Sequence, residues 1–422
     1  MLASFSKVIG KHFLKKLFLS TPRVYFSEAA HKLSQKGWED FSQGRFHEAL
    51  NKYNQALAEI SKETEKDPNV LTGIHVRIAA AQNMLGKFKD AEDHFTTALN
   101  LAMKEFGENS PQVAYIQNEA GSMQIDLGNV EKGLDLLQKS LQFYLNKQPP
   151  NKELLATVYH NIGRAYGLKS DFVKALEYYE HSAQLTKENS GEESDSLGFI
   201  YNSIGMTYSS LGDVPKAIEY LGKALKILVK NHGEENVKLA PIYVNLGESL
   251  TLMGRVKEAS EPLNKALGVF LKAYGENHVD TAYVYQLLAF LEYANKDLTK
   301  ALTLIEKAIK ARESVSDRNH PYFIKIYFTK GMILLASNQV DKAIETLLEA
   351  EKIGKSRFGE DDGMLADVYY MIGEALIQKK DFEGGISRLR TVEKLYQQKF
   401  GEDSQYVAFI QQRIKQVEGM NK

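Results

Sequence analysis

Small residues recur along this chain at a constant step of 42: Gly37, Ala79, Gly121, Gly163, Gly205, Gly247, Ala289, Gly331 and Gly373. Twelve residues after each stands a second small residue, from Ala49 and Ala91 through Gly133 and Ala175 to Gly385. Four further on comes a large apolar one, such as Tyr53, Phe95, Leu137, Tyr179, Leu221 or Leu389, and three beyond that another small site, with Val392 the exception. Nine copies without an insertion exclude most folds, because a chain repeated at this period is a stack of one supersecondary unit.

The spacing inside each copy identifies that unit. Steps of three and four within each half belong to one face of an α-helix, so each copy predicts a helical hairpin with a first helix A and a second helix B. Between them stands Gly44, Gly86, Gly128, Gly212 or Gly254, with Ser170, Lys296, Asn338 and Lys380 in the same place elsewhere. Glycine there suits a tight connection needing positive φ. After helix B comes another periodic glycine, Gly107, Gly191, Gly233, Gly275, Gly359 or Gly401, each followed by a glutamate. These glycines predict left-handed helix caps, and the glutamates favour the N-terminal dipole of the next helix. Pro149 and Asp317 replace the glycine in two copies, which predicts differently shaped loops there.

A small residue in mid helix A, a turn, then alanine, a large residue and alanine on helix B resemble the tetratricopeptide repeat (TPR) family. The 42-residue period, the "YGENH"-type connector and the "YNSIG" and "YVNLG" helix A segments (Tyr201 to Gly205, Tyr243 to Gly247) resemble its longer kinesin-light-chain subtype. The resemblance implies an all-α, right-handed superhelical solenoid of about nine repeats over residues 30–407, with a capping helix and tail over 408–422. Helix A would line its concave face. It also implies a non-catalytic scaffold binding a peptide or helix of a protein partner in that groove.

Composition narrows the chemistry. The chain has no cysteine, which removes disulfides, thiolate nucleophiles and cysteine-based metal sites. His47 and Glu48 begin an "HEALN" run, but a metalloprotease helix needs histidine where Asn51 stands. No phosphate-binding glycine loop lies off the repeat lattice. His160 and Arg164 lie on one helical face without a partner nucleophile in their repeat. No catalytic residue, metal or cofactor is therefore expected.

Of the 53 basic residues, Lys7, Lys11, Lys15, Lys16 and Arg23 precede the first acid, Glu28, leaving 48 against 54 acids, a net of −6. Within residues 1–27, Phe5, Ile9, Phe13 and Leu17 form an apolar face with the lysines about half a turn away. Such a basic, amphipathic, acid-poor start resembles a mitochondrial presequence, with cleavage expected close to Tyr25. A peripheral membrane helix or a frayed cytosolic N-terminus are the other readings of this segment. Lysines interrupt every apolar run there, so no transmembrane span is expected. The acidic remainder carries no basic stripe of the kind nucleic acid needs.

The groove residues follow from the TPR resemblance, which points to helix A positions two and three before the small residue and one after it. In the first six repeats these are Arg77, Asn118, Glu119, His160, Asn161, Arg164, Asn202, Asn245 and Glu248. In the last three they are Gln286, Phe290, Phe328, Met332, Tyr370, Met371 and Glu374, so the groove runs from polar to aromatic. The asparagines can bind an extended peptide backbone, or bond between neighbouring helices. An aromatic groove suits an amphipathic helix or apolar strand. The tyrosine series Tyr159, Tyr201, Tyr243, Tyr285, Tyr327 and Tyr369 is expected to pack in the core with hydroxyls at the rim.

The function these features imply is a mitochondrial scaffold, matrix or inner-membrane-associated, that serves as a structural subunit or assembly factor of a larger complex, with a respiratory-chain assembly as the analogy. A cytosolic adaptor of the kinesin-light-chain type is the alternative, and an RNA-binding helical-repeat protein the third reading.

Overall fold

The computed structural model describes residues 28–63, 67–314, 316–360 and 362–420. The segment 1–27, and the presequence expected there, lies outside the described residues. Two compact units divide the chain at Gly233 and Glu234.

The first unit holds five hairpins: α1 (Glu28–Ser42) with α2 (Phe46–Ser61), α3 (Pro68–Met84) with α4 (Phe88–Phe106), α5 (Pro111–Asp126) with α6 (Val130–Leu145), α7 (Lys152–Leu168) with α8 (Phe172–Ser190), and α9 (Asp195–Leu211) with α10 (Val214–His232). The second holds four: α11 (Ala240–Leu252) with α12 (Val256–Tyr274), α13 (Val279–Ala294) with α14 (Leu298–Glu313), α15 (Tyr322–Ala336) with α16 (Val340–Phe358), and α17 (Ala366–Gln378) with α18 (Phe382–Phe400). A last helix, α19 (Gln405–Met420), packs on α18. It begins ahead of residue 408 because Ser404 accepts the Val407 backbone N–H and starts the helix there. Two short 3-10 turns precede α11 and α17, and no strand occurs among the described residues.

The small residues of the lattice are contact points between helices A and B. A Cβ built on Gly163 would stand 2.8 Å from the Tyr179 ring and 3.2 Å from the Ala175 carbonyl oxygen, so this close approach needs a missing side chain. Where the small site three residues after the large apolar one is serine instead of alanine, the hydroxyl finds a partner on helix A. Ser140 Oγ donates to the Ala114 carbonyl and Ser182 Oγ to the Ala156 carbonyl, each at 2.7 Å. Those two buried hydroxyls are thereby satisfied.

Both turn types have positive φ, and they differ in ψ. The turn from A to B is left-handed: Gly212, for example, has φ 82 and ψ 1, and the same place is held at φ between 58 and 69 by Ser170, Lys296, Asn338 and Lys380. The glycine after helix B, expected as a left-handed cap, instead has φ near 80 with extended ψ, 161 at Gly107 and −177 at Gly275. That region is essentially closed to residues with a Cβ. Side-chain-bearing residues therefore stand in the first turn, whereas copies lacking the second glycine rebuild the loop. α6 ends at Leu145, ahead of Pro149, and α14 at Glu313, ahead of Asp317. Ser110 caps α5 and Asn151 caps α7, while Glu234 and Glu360, which follow two of these glycines, pair with helix B lysines Lys265 and Lys355.

Candidate functional site

Polar residues at the expected groove positions of the first unit join consecutive A helices. Asn161 Nδ2 on α7 donates to Asn118 Oδ1 on α5 at 3.0 Å, and both side chains are buried. Arg77 on α3 donates to Ser34 Oγ on α1, and His160 Nε2 on α7 lies 3.1 Å from Ser203 Oγ on α9. All three links step 43 residues along the chain, from the third position before the small residue in one repeat to the second before it in the next. Arg164 donates to Ser122 Oγ at 3.1 Å and forms an ion pair with Asp126, both on α5. Burial, aided by Arg164, holds the His160 imidazole well below its usual pKa, so the ring is neutral at physiological pH. Arg77, Asn118, His160, Asn161 and Arg164 are thus placed between helices, and their solvent-accessible surface is small.

Glu119 departs from this pattern. The same step of 43 leads back to Val76, an apolar residue buried without exposure, so the polar link of the other positions is not repeated here. Asn118 Nδ2 donates to Glu119 Oε1 at 3.0 Å, and burial pushes the carboxyl up to about 7. Asn202 is half-buried, with its amide 3.8 Å from Met206 Sδ.

In the second unit Asn245 is buried, and Glu248 accepts the Tyr283 hydroxyl with its pKa raised by burial. Glu374 is gripped by the cap helix: Arg413 Nε and an Nη lie 2.8 and 2.7 Å from its two oxygens, and Tyr370 stands 6.2 Å from the Phe409 ring. Gln286, Phe328, Met332, Tyr370 and Met371 are half-buried, and Phe290 is exposed at 37%. Helices α13, α15 and α17, which carry these residues, touch in succession. The polar face of the first unit is therefore largely closed by its own bonds, while an apolar, aromatic face remains open in the second.

The tyrosine series packs in the core, but its hydroxyls do not all reach the rim: Tyr369 donates to the Glu360 carbonyl, whereas the Tyr243 hydroxyl is buried without a partner. Tyr243, Tyr285 and Tyr369 are buried and the other three half-buried, with helix B lysines over several rings, such as Lys307 at 5.4 Å from Tyr285. Among the described residues no group of three or more histidine and carboxylate side chains could hold a metal ion, and no helix is long and apolar enough to cross a membrane. Sequence reasoning missed Ser34, Ser122, Asp126 and Ser203, the partners of the chosen polar residues. A search at 43 residues, one beyond the period, finds Ser34 and Ser203.

The tetratricopeptide repeat family model matches in overlapping windows from residue 70 to 356: 70–146, 113–188, 154–230, 196–272, 238–314 and 280–356. The chain belongs to the tetratricopeptide repeat family. Among curated proteins none matches by sequence. Of solved structures, the apo quorum sensor NprR from B. thuringiensis is similar at a TM-score of 0.62 and 17% identity, covering 87% of this chain and 99% of its own. A Rap protein complexed with competence and sporulation factor is similar at 0.52 and 15%, covering 93% and 99%. BtubC (BKLC) from P. vanneervenii follows at 0.46 and 20%, covering 56% and 91%. The likeness establishes this chain as an all-α TPR solenoid, a fold of protein-interaction scaffolds.

Proposed function

We propose that this TPR protein, whose period is that of the kinesin-light-chain subtype, is a non-catalytic scaffold that holds a segment of a protein partner on the helix A face of its second unit. The observation that carries this reading is the open apolar surface there: Phe290 is exposed, and Phe328, Met332 and Met371 are half-buried on successive A helices. Phe328 and Met371 pack partly against a core, and Phe290 beside them is the exposed one. Such a face takes the apolar side of an amphipathic helix or an extended strand. The Rap protein of similar fold was solved with its factor bound, which is a precedent for ligand carriage by this architecture.

The setting we propose is a multi-subunit mitochondrial complex, matrix or inner-membrane-associated, reached by cleavage near Tyr25. Support comes from the basic amphipathic segment 1–27 and the acidic remainder. Two measurements test the reading. A photo-crosslinking amino acid at Phe290 in the full chain, expressed in its own cells, is expected to trap one defined protein. Mass spectrometry of the endogenous N-terminus is expected to find a start between about Phe26 and Glu28 in the mitochondrial fraction. An intact N-terminus in the cytosol overturns the compartment, and absence of a crosslink at Phe290 overturns the binding face.

A further inference from the structure

Arg312, near the end of α14, occupies a place that the other repeats fill with uncharged residues. At steps of 42 stand Ile60, Ala102, Tyr144, Thr186, Leu228 and Phe270 on one side and Gly354 and Tyr396 on the other, all buried except the half-buried Tyr396. Arg312 is equally buried, with 7% of its surface exposed, yet its Nε has no hydrogen-bond partner and its guanidinium forms no ion pair among the described residues. Asp280, at the start of α13, is close enough to pull on it but makes no hydrogen bond or ion pair with it. An arginine keeps its proton in such a place, and with no carboxylate bonded to it the charge is stabilised by an anion that reaches it. The C-terminal dipole of α14 offsets part of that cost.

The surroundings are shaped for such an anion. The guanidinium carbon lies over the Tyr322 ring at 4.2 Å, and none of the guanidinium nitrogens has a hydrogen-bond partner among the described residues, so the fork can make two parallel hydrogen bonds to an anion. Tyr322 opens α15 and is 55% exposed, and the His320 ring stacks against it at 4.5 Å. His320 Nδ1 accepts the Tyr322 backbone N–H at 3.3 Å, so the ring proton sits on Nε2, which is left as a donor. The connector is also the one in which Asp317 replaces the periodic glycine and α14 stops at Glu313.

We propose that Arg312, Tyr322 and His320 form an oxyanion-binding site at the junction of α14 and α15, taking a phosphate or carboxylate group. It lies at helix ends, apart from the helix A residues Phe290 and Met332, and stands independently of the proposed groove.

The test is thermal unfolding of the full chain in millimolar inorganic phosphate, acetate or chloride at one ionic strength. The wild type is expected to show a saturable rise of about 2 °C or more in phosphate or acetate over chloride, as binding to the folded state alone requires. A response to phosphate alone assigns a phosphate group, and an equal response to acetate assigns a carboxylate. Arg312→Leu, which restores the residue found at Leu228, is expected to abolish the rise. Arg312→Lys, which keeps the charge without the planar fork, is expected to weaken the apparent affinity about tenfold. No rise in the wild type, or an equal rise in Arg312→Leu or Arg312→Lys, overturns the proposal.

Discussion

Asn161 on α7 donates its amide to the Asn118 carbonyl oxygen on α5 at 3.0 Å, a bond between two consecutive A helices with each side chain almost wholly out of solvent. A pair this deep acts between repeats, where each hairpin contacts only its neighbours and nearest-neighbour terms set solenoid stability. Asn161→Leu is expected to cost about 1–3 kcal/mol by leaving Asn118 buried without that donor. Urea denaturation of the purified chain measures it, and Asn118→Val on the same background should return part of the loss. A stability unchanged by Asn161→Leu would show that the pair contributes nothing to repeat stacking.

Glu119 makes the first unit pH-sensitive. Its folded carboxyl, pushed up to about 7, lies above the 4.5 of the unfolded chain, so the folded state holds a proton that the unfolded state has released. Stability from this group is fully present below pH 4.5 and is lost as pH rises through 7, a change of up to about 3 kcal/mol. Glu119→Gln should remove that slope and melt higher than wild type at pH 8. Parallel melting curves of the two proteins from pH 5 to 8 would contradict the assignment.

Much of the fold was legible because one unit is copied without insertion, so Gly163 and Tyr179 announce their contact nine times over in equivalent residues. The left-handed turns at Ser170 and Lys296 were legible for the same reason, as members of a glycine series. What escaped was register between copies. A comparison at 42 aligns Asn118 with His160, whereas these polar links step 43, placing Asn118 against Asn161. Both readings of the asparagines stood open until that offset was known. The aromatic positions Phe290 and Phe328 were legible as a change in composition, although only the structure shows which of them is exposed.

Gly163 and Gly167 share one helix and should respond oppositely to a side chain. Gly163→Leu drives atoms into Tyr179 and the Ala175 carbonyl, and is expected to cost about 1–3 kcal/mol or more through overpacking. A Cβ at Gly167 meets nothing within 4 Å, so Gly167→Ala is expected to stabilise by about 0.5–1 kcal/mol through helix propensity alone. Chemical denaturation of both variants checks the hairpin register, and a tolerated leucine at Gly163 would refute it.

Phe290 offers the cleanest separation of binding from folding. At 37% exposure it is less committed to the interior than Phe328 or Met371, both of which pack against a core, so Phe290→Ser should leave the melting temperature within about 2 °C of wild type. An aromatic anchor at the centre of an interface is worth about 2 kcal/mol or more, so capture of the partner trapped at this position should weaken roughly thirtyfold. Asn161→Leu, measured beside it, should lower stability while leaving affinity at saturating folded protein nearly unchanged. If the two variants exchange these outcomes, the partner is read by the amides of the first unit and the aromatic face of the second is packing surface.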